Sequence, residues 1–238
     1  MEPPGFLTQQ LRVDHSGELE MGKFTLLNKR PCIIVASIGR SGSTLTTKTL
    51  TAAAQTIWRD RPSEFAASLS KAKLARGTIC KTHDYPAALT GRTGKAKALF
   101  IFGSTIDSVI SVHSCIDRKG PEWIGRHLKH LQSDGHIDDL FNYDVLMLGP
   151  QIKTWATFDG IPTLCVRYDK LWDHAAEIAA FTGYDFDLPA FEQRTPKTLD
   201  DGLMAKARQL YEPLDDIVMK LPTIFTAGSH MAPQVAGL

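Results

Sequence analysis

The sequence predicts an α/β fold in which a central parallel sheet is flanked by helices on both faces. Three observations support this fold class. Short apolar runs alternate with segments of helical spacing along most of the chain. The runs are continuously apolar, as expected for strands that are buried on both faces. The length of 238 residues suits one large α/β domain, and we expect residues 1–238 to form it.

The segment Pro31–Leu50 contains the first strand and the first helix. The apolar run Cys32–Ala36 predicts a buried strand, and Thr44–Ala54 predicts a helix. Loop amides and the positive end of the helix dipole would together favour an anion. Arginine in such a loop can add bidentate hydrogen bonds to phosphate. The small-residue loop between strand and helix contains Gly39, Arg40, Ser41, Gly42 and Ser43.

This loop departs from the GxxxxGK[ST] pattern of nucleoside triphosphatases. That pattern has lysine before Ser or Thr, whereas Gly42 stands before Ser43, and the cation is Arg40. A plain Gly/Ser turn that joins a strand to a helix is the alternative interpretation.

The remaining elements follow in order along the chain. Residues 59–77 are charged and rich in alanine, which predicts a short connection and a solvent-facing helix that ends near Gly77. Residues 1–30 are expected on the surface, and the chain should close with a loose Gly- and Pro-containing end. Further strands are predicted at Thr78–Lys81, Ala98–Phe102 and Thr163–Val166. Further helices are predicted at Ile106–Asp117, Ile137–Phe158 (interrupted at Gly149-Pro150), Trp172–Phe181 and Leu203–Leu221.

Composition excludes several classes of protein. The net charge of +1 gives no general attraction to nucleic acid or to an anionic membrane, so no such partner is expected. No apolar stretch approaches the ~20 residues of a membrane span, and the N-terminus does not read as a signal peptide. The four cysteines lack metal-ligand spacing and are expected as reduced core residues, which favours a cytoplasmic location.

Polar residues follow three of the predicted strands, where a parallel sheet binds ligands. The glycine-rich loop, the His83 segment and the turn at Gly103 should therefore meet in one crevice. His83 has an ordinary pKa of about 6.5, which suits a general base. Lys81 precedes it by two residues, so in an extended segment both side chains lie on one face. The alternative for His83 is a histidine at a strand end that only hydrogen-bonds a loop.

Four segments, in this order, resemble the sulfotransferases that use 3′-phosphoadenosine 5′-phosphosulfate. The segment IGRSGSTL resembles that family's 5′-phosphosulfate loop, and KTHDYP resembles the Lys-Thr-His segment with the catalytic base. The segment FIFGSTIDSVISVHS resembles the 3′-phosphate segment, and TLCVRYDKLWD resembles the stretch near the adenine. The matches span residues 32–183.

The resemblance implies a sulfotransferase architecture, which is like that of P-loop nucleoside-triphosphate hydrolases, and a role for each matched residue. His83 would be the base, and Lys81 would stabilise charge on the bridging oxygen or the sulfuryl group. Ser111 would bind the 3′-phosphate or only bond the preceding helical turn. Tyr168 would contact the adenine or only cap a strand end. The residues implied to hold the 5′-phosphosulfate are Gly39, Arg40, Ser41, Gly42, Ser43 and Thr44.

Two parts of the family's pattern are missing. Gly103 stands where the family has an arginine for the 3′-phosphate, and residues 184–238 contain no clear Arg-Lys-Gly segment. Arg118, Lys119 and Arg194 are the cations that could replace them, unless the donor lacks that phosphate.

Other polar and aromatic residues have simpler interpretations. Asp107, near a helix start, is expected as a cap or dipole partner. We expect the aromatic residues Trp123, Trp155 and Phe158 to lie in the core. No metal site is expected, because no carboxylate lies at helical i, i+4 spacing from His127. His127, His130 and His136 should instead line a solvated or acceptor-facing surface.

The sequence thus predicts a sulfotransferase that moves a sulfuryl group from 3′-phosphoadenosine 5′-phosphosulfate to a hydroxyl or amine of a small-molecule acceptor. A P-loop kinase-like phosphotransferase and a catalytically degenerate nucleotide-binding module are the alternatives. The sequence indicates neither the acceptor nor an oligomeric state.

Overall fold

A computed structural model describes residues 30–57, 63–92, 96–192 and 197–238. Three expectations concern residues outside these ranges: the surface segment 1–29, the connection at 59–62 and the cation Arg194. The prediction of one domain over residues 1–238 stays a prediction.

The described chain forms a six-stranded sheet with helices on both faces, which confirms the predicted fold class. The strand order is β2-β3-β1-β4-β5-β6. Neighbouring strands from β2 to β5 pair in parallel, and β6 pairs antiparallel with β5. The strands are β1 Cys32–Ser37, β2 Glu64–Ala66, β3 Ile79–Thr82, β4 Ala96–Phe102, β5 Thr163–Arg167 and β6 Ile224–Thr226.

Six α-helices connect or cover these strands in the described residues. One lies between β1 and β2, three lie between β4 and β5, and two lie between β5 and β6. They are α1 Ser43–Ile57, α2 Thr105–Lys119, α3 Pro121–His130, α4 Leu148–Thr157, α5 Ala175–Thr182 and α6 Asp201–Lys220.

Strand β1 is buried on both faces and separates two hydrophobic clusters. Its residues alternate between them: Ile34 and Ala36 belong to one cluster, and Ile33 and Val35 belong to the other. Buried residues of α2, α3, α4 and α6 join the first cluster, and those of α1 and α5 join the second. This two-sided burial explains why the strand is apolar throughout.

Strand register brings four segments to one edge of the sheet. Ala36 pairs with Thr82, and Ser37 pairs with Ile101. On the next strand, Phe102 pairs with Arg167. The loop after β1, His83 after β3, Gly103 after β4 and Tyr168 after β5 therefore leave the sheet together. The sequence predicted this for the first three.

The helix predicted within residues 59–77 is wrong for the part that the structure describes. Strand β2 and a short 3₁₀ turn at Leu69–Lys71 occupy this region instead. The backbone N–H of Leu69 donates to the Asp84 carboxylate at 2.7 Å, and the Arg92 guanidinium donates to the carbonyls of Leu69 and Ala72. These long-range hydrogen bonds and the pairing of β2 with β3 outweigh the helical propensity of alanine and lysine.

Two further boundaries differ from the prediction. Of the helix expected at Ile137–Phe158, only α4 and a 3₁₀ turn at Ile137–Asp139 form. Gly149 and Pro150 lie in the first turn of α4, where proline loses no hydrogen bond, so they begin the helix rather than interrupt it. The expected loose end contains β6 and a 3₁₀ segment, Ser229–Val235, in which Met231 and Val235 are buried.

All four cysteines are buried with free thiols. No helix in the described ranges is long and apolar enough to span a membrane.

Candidate functional site

The loop after β1 has a fixed and partly left-handed backbone. Arg40 has a φ of 72°, and Gly42 has a φ of +83°. The buried Ser41 hydroxyl lies 2.8 Å from the carbonyl of Ile38 and 3.0 Å from that of Ile101, so it ties the loop to β4. Ser41 therefore shapes the loop, and its side chain does not line the cavity described below.

Helix α1 begins directly after Gly42 and leaves its N-terminal amides available. The first intrahelical bond runs from the amide of Thr46 to the carbonyl of Gly42 at 3.1 Å. The amides of Ser43, Thr44 and Leu45 precede that bond and have no partner in the preceding turn. The first turn contains no acidic side chain, so the positive end of the helix dipole is not neutralised locally.

A cavity of about 420 Å³ opens at this helix end. The loop, α1 and β3 supply Arg40, Gly42, Ser43, Thr44, Leu45 and Lys81 to its lining. The rest of the lining is aromatic and basic, and it consists of Phe65, His83, Lys119, Trp123, His127 and His130.

Lys81 extends from β3 towards the start of α1. Its ammonium group donates to the Thr44 hydroxyl at 2.7 Å. Burial lowers the pKa of Lys81, and the positive charges of Arg40 and Lys119 lower it further. Three cations therefore act on one another in this cavity, an arrangement that a bound anion would stabilise.

His83 is buried and held in one tautomer. Its Nδ1 lies 2.9 Å from the backbone carbonyl of Ser37, and because a carbonyl only accepts, Nδ1 must carry the proton. The Nε2 lone pair is then the basic site of the ring. Burial lowers the pKa of His83 to about 4; the hydrogen bond with Ser37 opposes this shift, and the charges of Lys81, His130 and Arg40 add to it. The ring is thus neutral at neutral pH, which is the state a general base requires.

His127 and Trp123 form a stacked pair that sequence reasoning did not place. Their ring centroids are 4.9 Å apart with an interplanar angle of 11°. The His127 ring also meets the His83 ring edge-on at 5.8 Å. Burial lowers the pKa of His127 to about 3, with added effects from the charges of His83 and Arg40. The prediction of a core position is confirmed for Trp155, which is buried. Trp123 and Phe158 are half-buried and pack against the core, and Trp123 also lines the cavity.

Gly39 and Gly42 lie against aromatic rings, which explains why side chains are absent at both positions. A Cβ atom at Gly39 would lie 2.8 Å from Nε2 of His127. A Cβ atom at Gly42 would lie 2.3 Å from ring carbons of Tyr168. Tyr168 therefore packs against the loop, and it lies outside the cavity lining.

Ser111 lies beside the loop, on α2, and two cations meet at its hydroxyl. Arg40 donates from Nε to Ser111 Oγ at 3.0 Å, and the ammonium group of Lys197 donates to the same oxygen at 3.1 Å. Lys197 was missed at the sequence level, because nothing in the pattern around it connects residue 197 to residue 111.

Neither described cation that was expected to replace the missing arginine contacts Ser111. The Arg118 guanidinium contacts the thiol of Cys115 at 3.1 Å. Lys119 lies over the ring of Trp123 at 4.7 Å. Eight residues of helix separate Lys119 from Ser111, which is about 12 Å at 1.5 Å per residue.

Carboxylates near the site have structural roles. Asp84 follows His83, but its oxygens accept from the amides of Leu69 and Tyr85 at 2.7 Å each and from the Gln132 side chain. Asp107 lies in the first turn of α2, in agreement with its expected dipole role, while the Ser104 hydroxyl caps that helix.

No carboxylate is part of the described cavity lining. Among the described residues, no three His, Cys, Asp or Glu side chains form a group that could hold a metal ion.

Comparison with known proteins gives little guidance. No known protein-family profile matches the chain, and no curated protein matches it. Among solved structures, the chain is similar to a crystal structure of retinol dehydratase in complex with androsterone and the inactive cofactor PAP. The sequence identity is 15%, the TM-score is 0.36, and the match covers 77% of this chain and 66% of the other. A likeness this distant does not establish a function.

Proposed function

We propose that this protein transfers a sulfuryl group from 3′-phosphoadenosine 5′-phosphosulfate to a hydroxyl of a small-molecule acceptor. The observation that carries the proposal is the meeting of four features in one cavity. These are the N-terminal amides of α1, the cations Arg40 and Lys81, the neutral His83, and a described lining without carboxylates.

Each residue has a role in this reaction that follows from its position. Arg40 and the amides at the start of α1 bind the phosphosulfate. His83 accepts the acceptor's hydroxyl proton at Nε2 while that oxygen forms a bond to sulfur. The bond between sulfur and the bridging oxygen breaks, and its electron pair stays on the 5′-phosphate, where Lys81 stabilises the charge. The products are a sulfate ester and 3′-phosphoadenosine 5′-phosphate (PAP).

Ser111, Arg40 and Lys197 supply a place for the 3′-phosphate of the donor. Two cations already share the Ser111 hydroxyl, and an anion placed there would accept hydrogen bonds from both. In this proposal Lys197 takes the part of the arginine that Gly103 replaces.

The kinase alternative is not supported by any contact in the site. Mg²⁺ prefers carboxylate and water ligands, and the Asp84 carboxylate, which follows β3, is engaged by two backbone amides and a glutamine side chain. No lysine follows Gly42 to bind the terminal phosphates of ATP.

The donor is tested by thermal unfolding with either PAP or ATP and Mg²⁺. We expect PAP to raise the melting temperature more than ATP and Mg²⁺ do. A ligand at 100 times its Kd adds about 2.7 kcal/mol to the free energy of unfolding. Arg40→Gln should weaken PAP binding ~10- to 150-fold, since a charged hydrogen bond is worth about 1.5–3 kcal/mol.

Arg126→Gln is the matched control, because Arg126 is an exposed arginine on α3 outside the cavity lining. It should bind PAP normally. Stronger stabilisation by ATP would assign the site to a phosphotransferase. Binding of PAP without sulfuryl transfer to any acceptor would favour a degenerate nucleotide-binding module.

A further inference from the structure

Two aromatic side chains, Phe65 and Trp123, line the cavity together with the residues of the loop, α1 and β3. Phe65 is 45% exposed. Its ring and the ring of His130 meet edge to face, with centroids 4.8 Å apart. The Trp123 ring stacks on His127, and the Lys119 ammonium lies over it. Aromatic side chains of this kind suit a planar, apolar ligand of modest size.

Lys119 adds a positive charge beside these rings. Its ammonium group lies 4.7 Å from the centroid of Trp123. The other two lysine or arginine side chains of the lining contact the donor side of the site: Arg40 bonds Ser111, and Lys81 bonds Thr44. The separation of about 12 Å along α2 between Ser111 and Lys119 places Lys119 away from the proposed nucleotide end.

The described lining contains no carboxylate to neutralise Lys119. The effect of Lys119 on the pKa of Lys81 indicates that its charge is felt inside the cavity. A ligand next to Trp123 that carried a negative charge would therefore gain an electrostatic contact that a neutral ligand would not.

We propose that the acceptor is an aromatic hydroxyl compound that carries an anionic group, which Lys119 binds while Phe65 and Trp123 contact the ring. This inference rests on the proposed function, because it names the second substrate of the same cavity. The ring hydroxyl is the group directed towards His83.

The test compares two probes of nearly identical shape, 4-hydroxyphenylacetate and its neutral amide, 4-hydroxyphenylacetamide. Binding is measured by calorimetry, with and without PAP. We expect the carboxylate to bind about 10-fold more tightly than the amide, the lower part of the range for a charged hydrogen bond. Lys119→Gln should remove that preference by weakening the carboxylate alone. Trp123→Leu should weaken both probes to a similar extent.

Lys129→Gln is the matched control, because Lys129 is an exposed lysine near the C-terminal end of α3 and is not part of the cavity lining. It should keep the full preference for the carboxylate. Equal affinity of the wild type for the two probes would overturn the inference. A preference for the carboxylate that survives Lys119→Gln would also overturn it. If Lys119→Gln loses as much affinity for PAP as for the carboxylate, Lys119 belongs to the nucleotide site, and the inference is again overturned.

The inference and the proposed function can fail separately. If PAP does not bind but the Lys119-dependent preference is present without nucleotide, the donor assignment fails and the anionic aromatic ligand stands. If PAP binds and sulfuryl transfer occurs with equal use of both probes, the acceptor inference fails alone.

Discussion

At the scale of single residues, His83 is defined by what surrounds it. The Ser37 carbonyl fixes the proton on Nδ1, and burial together with nearby cations keeps the ring neutral. The charges of Lys81 and Arg40 are among the causes of its low pKa. An anion that neutralises them would raise the pKa of His83 and make it a stronger base when the donor is bound.

His83→Asn should separate turnover from donor binding. A base that acts only on the acceptor proton contributes to the chemical step, so sulfuryl transfer should fall ~100-fold or more. PAP should still raise the melting temperature almost as in the wild type. His136→Asn is the control, because that histidine is exposed and lies outside the cavity lining. Near-normal turnover in His83→Asn would show that another residue is the base, with His127 or His130 as the next to test.

Gly103→Arg should strengthen binding of the 3′-phosphate. Gly103 has no left-handed φ, and a Cβ atom there would meet only Tyr168 Cβ, at an ordinary 3.5 Å. A side chain can therefore begin at this position without backbone strain. We expect PAP affinity to rise several-fold and the affinity for adenosine 5′-phosphate, which lacks the 3′-phosphate, to stay unchanged. Calorimetry with both nucleotides measures this, and an equal gain for both would contradict the assignment of Ser111 to the 3′-phosphate.

Sequence reasoning identified the residues of the site better than their roles. Local spacing was enough to connect Arg40 with an anion and Lys81 with His83. It could not show that the Ser41 hydroxyl bonds backbone carbonyls, because one of those carbonyls lies 60 residues away. It could not find Lys197 either, since the contact with Ser111 spans 86 residues.

At the scale of elements, the unit of β1, loop and α1 depends on close packing between the loop and a tyrosine ring. Gly42→Ala should destabilise the protein and weaken PAP binding. The mutation puts a side chain on a left-handed residue and a Cβ atom 2.3 Å from the Tyr168 ring, so the loop must move. We expect a loss of about 2–3 kcal/mol in the free energy of unfolding, measured by urea denaturation.

Gly91→Ala separates the two causes. Gly91 has a similar φ of +78°, but a Cβ atom there would have no neighbour within 4 Å. Gly91→Ala should lower the free energy of unfolding by about 1 kcal/mol, which is the cost of a left-handed backbone at alanine, and it should leave PAP binding intact. If Gly42→Ala is no more destabilising than Gly91→Ala, contact with Tyr168 is not what requires a glycine in the loop.

The elements that the sequence predicted correctly are those with strong local signals. Strands β1, β4 and β5 are largely apolar because they are buried on both faces, so their position is visible in the sequence alone. Strand β2 has only three residues, two of them exposed, and its pairing with β3 decides its conformation. Its absence from the prediction also hid Phe65, whose place in the cavity depends on that strand.

At the scale of the whole molecule, two buried histidines couple the site to the stability of the fold. Burial lowers the pKa of His83 to about 4 and that of His127 to about 3, whereas an unfolded histidine titrates near 6.5. Between these values the unfolded chain binds protons that the folded protein does not. The stability contributed by each neutral ring is therefore complete above about pH 6.5 and decreases as the pH falls towards the folded pKa.

Lowering the pH from 7.5 to 5.0 should therefore reduce the free energy of unfolding, and His127→Gln should reduce that loss. Each neutral buried ring accounts for about 1–2 kcal/mol over this interval, at 1.36 kcal/mol per pKa unit. Urea denaturation of wild type and variant at the two pH values measures the difference, with His136→Gln as the exposed control. An equal pH-dependent loss in wild type and His127→Gln would show that His127 does not remain neutral in the folded protein. In that case the stacked Trp123–His127 pair would carry a positive charge within the cavity at pH 5.0, and at that pH the acceptor would meet a second cation there besides Lys119.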